Sequence, residues 1–147
     1  MNIKLLAVIA VLAGAGALVC AGGIKVEKTA VKGRLADNLA LPFVNDPAVQ
    51  GEWQSVDFVK EPALFEPGAR RFDGDLFLKG LEFKAGGKIT GLCFTWTKGV
   101  VLDPCDKTAS LYTIKEIKGA EYMFFEWKSG DYIVRHQKPE YYVLKKK

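Results

Sequence analysis

The sequence has few of the residues that most often carry enzyme chemistry or bind metals. It contains one histidine and three cysteines among 147 residues, and no His-Glu-x-x-His motif. The lone His136 has no serine or cysteine near it in a nucleophile–base arrangement, so we interpret it as a surface residue. With no second cysteine pair, the usual zinc ligand sets are also missing. We therefore expect no catalytic activity, no metal and no cofactor.

Positive charge is not concentrated in any one place. The 21 basic and 17 acidic residues give a net charge of +4, and the only basic run is the C-terminal Lys145–Lys147. No arginine- or lysine-rich helix and no base-stacking motif accompanies it, so we interpret the run as a solvated tail. We expect no nucleic-acid partner.

The one long uncharged run lies at the N-terminus. Lys4 precedes an uncharged segment of 15 residues, 5–19, and a cleavage site of small or tolerated residues surrounds Cys20. This pattern predicts an export signal over residues 1–21. Two alternatives stay open: lipid attachment at Cys20, or a retained anchor, since residues 5–23 come close to the length of a membrane span. All three predict a periplasmic or extracellular protein, either secreted or held at the membrane by its leader or lipid.

Loss of the leader would leave two cysteines, Cys93 and Cys105. An even count in an exported chain predicts a disulfide. A hairpin centred on Gly99 would place position 93 opposite position 105, close enough for a bridge worth roughly 3 kcal/mol by loop entropy. The alternatives are two unpaired buried thiols and, less favoured, a metal site.

No helical pattern is long enough to cover a sheet. Instead, short alternating segments separated by glycine turns recur about every ten residues, which is typical of antiparallel strands. The predicted strands are 51–59, 75–84, 89–97, 100–102, 110–117, 121–127, 132–135 and 141–144. We predict an all-β fold, a small antiparallel meander barrel of seven or eight strands, because closure removes exposed edges.

The barrel domain is predicted over residues 45–147, preceded by a tether or loosely docked arm over 22–44. Asp46 and Pro47 indicate a short helical turn before the first strand. The missing Cβ of Gly51 should let another segment lie close, and the Trp53 indole should point into the core. The irregular segment 60–72 is expected to lie over one mouth of the barrel.

The Gly51-x-Trp53 strand after a short turn, followed by an antiparallel meander, resembles the lipocalin/calycin superfamily. More closely, the chain is similar to a family of bacterial exported domains, some fused to membrane metallopeptidases of the β-lactam-sensor type. The similar segments are 45–47, 51–53, 56–59, 76–79, 96–99, 138–139, 141–144 and, most specifically, Phe124-Phe125-Glu126-Trp127-Lys128-Ser129-Gly130-Asp131. The peptidase motif is absent, so peptidase activity is not implied. The resemblance does imply that Arg135, from a late strand, stacks across the Trp53 indole.

Aromatic residues are the main candidates for a binding site. They either fill the barrel as a packed core or line an apolar pocket. The candidates for ligand contact are Trp53, Phe77, Phe94, Trp96, Tyr112, Phe125 and Trp127, with Phe83 as a further interior ring. Asp73 and Asp75 flank Gly74 and are interpreted as turn residues rather than calcium ligands. Glu116, Glu121 and Glu126 are interpreted as solvent-facing rather than as an acid–base pair.

The expected function is that of a non-catalytic binding module of the cell envelope, with an apolar small molecule or a protein partner as its ligand. One alternative is a structural or inhibitory interaction protein, with a solid barrel that acts through segment 60–72 and its edges. A second is an isomerase or hydrolase that uses a cavity carboxylate such as Glu126.

Overall fold

The computed structural model describes residues 24–31, 34–128 and 138–147. The predicted export signal, the predicted strand 132–135, Arg135 and His136 lie outside these ranges. The strands are β1 (Lys28–Val31), β2 (Arg34–Asp37), β3 (Gly51–Val59), β4 (Gly80–Lys84), β5 (Lys88–Ile89), β6 (Thr95–Thr97), β7 (Val100–Asp103), β8 (Thr108–Ile117), β9 (Ala120–Trp127) and β10 (Glu140–Lys146). The only helical elements in the described ranges are 3₁₀ turns at Pro62–Leu64 and Ala85–Gly87. None of the described helical segments has the length and apolar character needed to cross a membrane.

Strands β3 to β10 form a closed antiparallel barrel in which each strand pairs with its neighbours in chain order. The barrel closes where β10 pairs with β3, with Tyr141 opposite Val59 and Lys146 opposite Trp53. Strands β1 and β2 form a separate two-stranded hairpin before the barrel. The predicted all-β meander barrel is therefore confirmed, with eight strands.

Two of the predicted strands are shorter than expected. The segment predicted as one strand over 75–84 is extended only from Gly80, although the side chains that face the core do change phase there, as expected. The segment predicted as one strand over 89–97 is divided into β5 and β6 by a turn at Gly91, where φ is +77°. Residues 47–49 form a single hydrogen-bonded turn, in which the Val49 amide donates to the Asp46 carbonyl at 3.2 Å and the Asp46 carboxylate accepts the Ala48 amide at 3.2 Å.

The close backbone approach expected at Gly51 occurs at Gly80. A Cβ on Gly80 would lie 2.4 Å from the carbonyl oxygen of Trp53, so no other residue fits there without displacing the backbone. A Cβ on Gly51 would lie 4.0 Å from Lys146, which is ordinary contact. Gly51 is required for a different reason, because its φ of +112° is one that only glycine adopts readily.

Alternate side chains along the strands build two apolar clusters. The larger fills the barrel; its buried members are Val49, Trp53, Leu76, Leu78, Leu81, Phe83, Ile89, Trp96, Val101, Tyr112, Met123, Phe125, Tyr142 and Leu144. The smaller lies on the other face of β3, β9 and β10, around Val59, Tyr122, Phe124 and Val143. Phe65 covers this outer cluster, with its ring 5.0 Å from that of Tyr122. The middle of segment 60–72 thus packs against the outer wall rather than over the mouth, whereas Phe72 at its end packs against the barrel core.

The arm that precedes the barrel is attached to it over residues 36–44. Ala36 and Asp37 are buried. The Thr97 hydroxyl donates to the Pro42 carbonyl at 2.9 Å, and the Phe43 ring makes an edge contact with Trp96. The arm therefore covers the start of the β6–β7 hairpin.

Candidate functional site

Four of the seven aromatic candidates lie inside the barrel. Trp53, Trp96, Tyr112 and Phe125 are each at most 5% exposed. Phe83 lies between two of them, with its ring centroid 6.1 Å from that of Trp96 and 6.0 Å from that of Tyr112. All four rings belong to the one buried apolar cluster that fills the barrel, as in a packed core.

Their polar atoms are also engaged within the protein. The Trp53 indole N–H donates to the Val49 carbonyl at 2.7 Å, and the Trp96 indole N–H donates to the Lys84 carbonyl at 2.9 Å. The Tyr112 hydroxyl donates to the Asp46 carboxylate at 2.9 Å. Burial raises the pKa of Tyr112 well above its usual range, and the hydrogen bond to Asp46 raises it further. These contacts fix each ring in one orientation.

The other three candidates reach the surface. Phe77 is 83% exposed, while Phe94 and Trp127 are half-buried. Trp127 connects the exposed Phe77 to the interior, because its ring lies 6.1 Å from that of Phe77 and 5.1 Å from that of Tyr142.

A pocket opens at the end of the barrel where β3 finishes and β10 begins, which we call the Phe58 end. It has a volume of about 380 Å³ and is lined by Phe58, Val59, Lys60, Leu64, Arg71, Phe72 and Glu140. The Phe58 ring lies 4.8 Å from Tyr142 and 5.7 Å from Phe72, so the pocket floor continues into the aromatic core. Lys60 and Arg71 are exposed. None of the pocket residues was among the candidates predicted from the sequence.

Asp57 holds the part of this pocket that contains Arg71 and Phe72 in place. Its carboxylate is buried and accepts the backbone amide of Arg71 at 2.9 Å and that of Phe72 at 3.0 Å. It also accepts the amide of Phe58 at 2.8 Å. One carboxylate therefore fixes both chain segments that supply the apolar rings.

Cys93 and Cys105 are exposed thiols. The β6–β7 ladder pairs Thr97 with Val100 and ends at Thr95 and Leu102, so positions 93 and 105 are not directly opposite as expected. The two sulfur atoms nevertheless lie within 4.8 Å of each other and of an Asp103 carboxylate oxygen. The disulfide stays a prediction.

The surroundings of Cys93 disfavour its ionised form. Its Sγ donates to Asp103 Oδ1 at 3.6 Å. The hydrogen bond with Cys105, reinforced by the nearby Asp103 charge, raises the pKa of the Cys93 thiol to about 11.

Glu116 is exposed as expected, whereas the interpretation of Glu126 as solvent-facing was wrong, because its side chain is 14% exposed. The Glu126 carboxylate accepts the Leu111 amide at 2.9 Å and lies 3.9 Å from the Lys128 ammonium. Because side chains alternate along a strand, Glu126 lies on the face of β9 opposite Phe125 and Trp127. Asp75 pairs with Lys79, and this hydrogen bond lowers the pKa of the Asp75 carboxyl group.

No protein family, curated protein or solved structure matches this chain. The similarity to bacterial exported lipocalin-like domains, inferred from short segments, thus stays a hypothesis.

Proposed function

We propose that the protein is a non-catalytic binding module of the cell envelope that takes an apolar small molecule at the Phe58 end of its barrel. The pocket of about 380 Å³ with apolar walls and a few charged groups carries this proposal. Sites for small molecules typically have this size and this mixture of surfaces. The location in the envelope rests on the N-terminal sequence pattern alone.

The charges around the pocket favour one class of ligand. Lys60 and Arg71 contribute two cations and Glu140 one carboxylate, around walls formed by Phe58, Leu64 and Phe72. An apolar molecule with a single anionic group would bury its body against the rings and leave its charge near the basic side chains.

The interior of the barrel is the weaker candidate for this ligand. Trp53 and Trp96 lie there almost without solvent exposure, and their indole N–H groups are already bonded to backbone carbonyls. A ligand inside the barrel would have to displace several buried rings, whereas the pocket at the Phe58 end needs no such change.

Binding of the apolar anionic dye anilinonaphthalenesulfonate to the full chain, without detergent, tests the proposal. Leu64 lines the pocket and is 49% exposed, so Leu64→Asp should preserve the fold while it weakens dye binding at least about tenfold. Leu92→Asp is the matched control, because Leu92 is 44% exposed but lies outside the pocket. Equal dye binding by both variants would overturn the proposed site.

The second candidate is a protein-interaction module with a solid barrel. It is favoured by one observation, the exposure of Phe77 beside Trp127. Native mass spectrometry of the detergent-free protein separates the two functions. A retained adduct of a few hundred daltons that Leu64→Asp removes supports the small-molecule module. A protein without any adduct, together with equal dye binding by the wild type and Leu64→Asp, favours the interaction module.

A further inference from the structure

We propose that Cys93, Asp103 and Cys105 form a binding site for one zinc ion at the end of β7. This site is separate from the pocket at the Phe58 end, and its three residues come from the turn before β6, from β7 and from the turn that follows β7. Among the residues that the structure describes, they are the one group of three potential metal ligands whose donor atoms converge.

The spacing of the donor atoms fits a tetrahedral zinc ion. With Zn–S bonds of about 2.3 Å and Zn–O bonds of about 2.0 Å, tetrahedral geometry places a sulfur and an oxygen about 3.5 Å apart and two sulfurs about 3.8 Å apart. Cys93 Sγ and Asp103 Oδ1 are 3.6 Å apart, and all three donor atoms lie within 4.8 Å of one another. Small side-chain rotations would bring the two sulfurs and a carboxylate oxygen to these spacings.

The carboxylate of this site is held in position before any ion arrives. Asp103 is buried, and its Oδ1 accepts the amides of Cys105 at 2.8 Å and Asp106 at 3.2 Å. A carboxylate offers about four lone-pair positions, two on each oxygen, and both of these hydrogen bonds go to Oδ1, so a metal bond would be made by Oδ2. The thiols are exposed, which gives an ion a direct route from solvent.

The ligand types select the metal. Two thiolates favour a thiophilic ion such as Zn²⁺ over Mg²⁺ or Ca²⁺, which prefer oxygen ligands. Binding exchanges two S–H protons, released to solvent, for two Zn–S bonds, and no electron is transferred. Three protein ligands leave a fourth position for water.

Zinc binding and the predicted disulfide exclude each other, because the bridge consumes both thiolates. One mass measurement distinguishes them. A protein isolated as the disulfide is two hydrogens lighter than the dithiol and takes no zinc, whereas the zinc form gains one zinc and loses two protons.

Native mass spectrometry and calorimetric titration with zinc alone test the proposal on the untagged full chain. Cys20→Ser is the background in every sample, so that Cys93 and Cys105 are the only thiols. Binding of cadmium in place of zinc should produce a thiolate charge-transfer absorption. We expect one zinc per chain, and at least about tenfold weaker binding after Cys93→Ser, Cys105→Ser or Asp103→Asn.

Asp106→Asn is the matched control, since Asp106 lies in the same turn outside the ligand set. It should bind zinc as the background protein does. Isolation of the protein as a Cys93–Cys105 disulfide would overturn the proposal, and so would failure of the reduced protein to bind zinc. Equal losses in Asp103→Asn and Asp106→Asn would show that Asp103 is not a ligand.

Discussion

The Lys146 ammonium lies 5.3 Å from the centroid of the Trp53 indole ring. The two residues are direct partners in the ladder that closes the barrel, and Lys146 also donates to the Ala48 carbonyl at 2.8 Å. A cation thus covers the end of the barrel opposite the Phe58 end. The family resemblance implies Arg135 for this position; Arg135 lies outside the described residues, and its contact with Trp53 stays a prediction.

Replacing the Lys146 ammonium should destabilise the barrel. Lys146→Met keeps most of the aliphatic stem but removes the cation–π contact, the bond to Ala48 and the ion pair with Glu121 at 3.3 Å, so we expect the free energy of unfolding to fall by about 1–2 kcal/mol. Urea unfolding followed by tryptophan fluorescence measures this loss. Lys145→Met, on the exposed face of the same strand, is the control. Equal effects of the two variants would show that the contact with Trp53 contributes nothing.

Asp57→Asn should loosen the segment that carries Phe72. The amide group of Asn would turn a donor toward backbone N–H groups that now share one carboxylate, leaving at least one of them unsatisfied. We expect a loss of about 2 kcal/mol in the free energy of unfolding and faster tryptic cleavage after Arg70 and Arg71. Asp73→Asn is the control, because Asp73 is exposed and lies one residue beyond segment 60–72, and it should leave the cleavage rate unchanged. An equally fast cleavage of the Asp73→Asn variant would contradict the role of Asp57.

The sequence predicted the barrel because its longest strands carry strong local signals. The alternating segments that became β3, β8 and β9 are bounded by turn residues, and the predicted turn Lys118-Gly119 has positive φ at both positions, as two-residue hairpins require. A sheet of antiparallel strands joined by such turns has two exposed edge strands, and closure into a barrel is the simplest way to pair them.

Neither the pocket nor the proposed zinc site leaves a local signal of this kind in the sequence. Alternation at Leu76 and Leu78 suggested a strand, but β4 pairs with β3 only from Gly80 onward, and a local pattern does not reveal where a ladder ends. Phe58 and Phe72 are brought together by Asp57, and Glu140 joins them only because the barrel closes between β3 and β10. Asp103 carries no such signal, because the usual structural zinc motifs are sets of cysteine and histidine.

The stability of the protein should fall at alkaline pH through Tyr112. Burial and the Asp46 carboxylate raise its pKa in the folded state, so the folded protein keeps a proton that the unfolded chain loses above about pH 10. This stabilising contribution is complete below the unfolded pKa and is lost as pH rises from there toward the folded pKa. Tyr112→Phe should therefore lose less stability than the wild type between about pH 9 and pH 11 in urea unfolding. Identical pH slopes would contradict the assignment.

A buried ion pair joins the N-terminal arm to the barrel. The Lys128 ammonium donates to Asp37 Oδ2 at 3.0 Å and to the Ala109 carbonyl at 2.7 Å, and the two charged side chains are 7% and 1% exposed. Asp37 Oδ2 also accepts the Ala109 amide at 2.9 Å. Removal of one member would leave a charge buried without its partner, which typically costs about 3–5 kcal/mol.

Lys128→Met should therefore destabilise the protein by about 3 kcal/mol, measured by urea unfolding. Adding Asp37→Asn removes the uncompensated charge while keeping an acceptor for the Ala109 amide, so the double variant should regain part of the loss. Lys79→Met is the matched control, because it breaks an exposed ion pair with Asp75 and should change stability little. Strictly additive losses in the double variant, or a loss no larger than that of Lys79→Met, would mean that this pair does not hold the arm to the barrel.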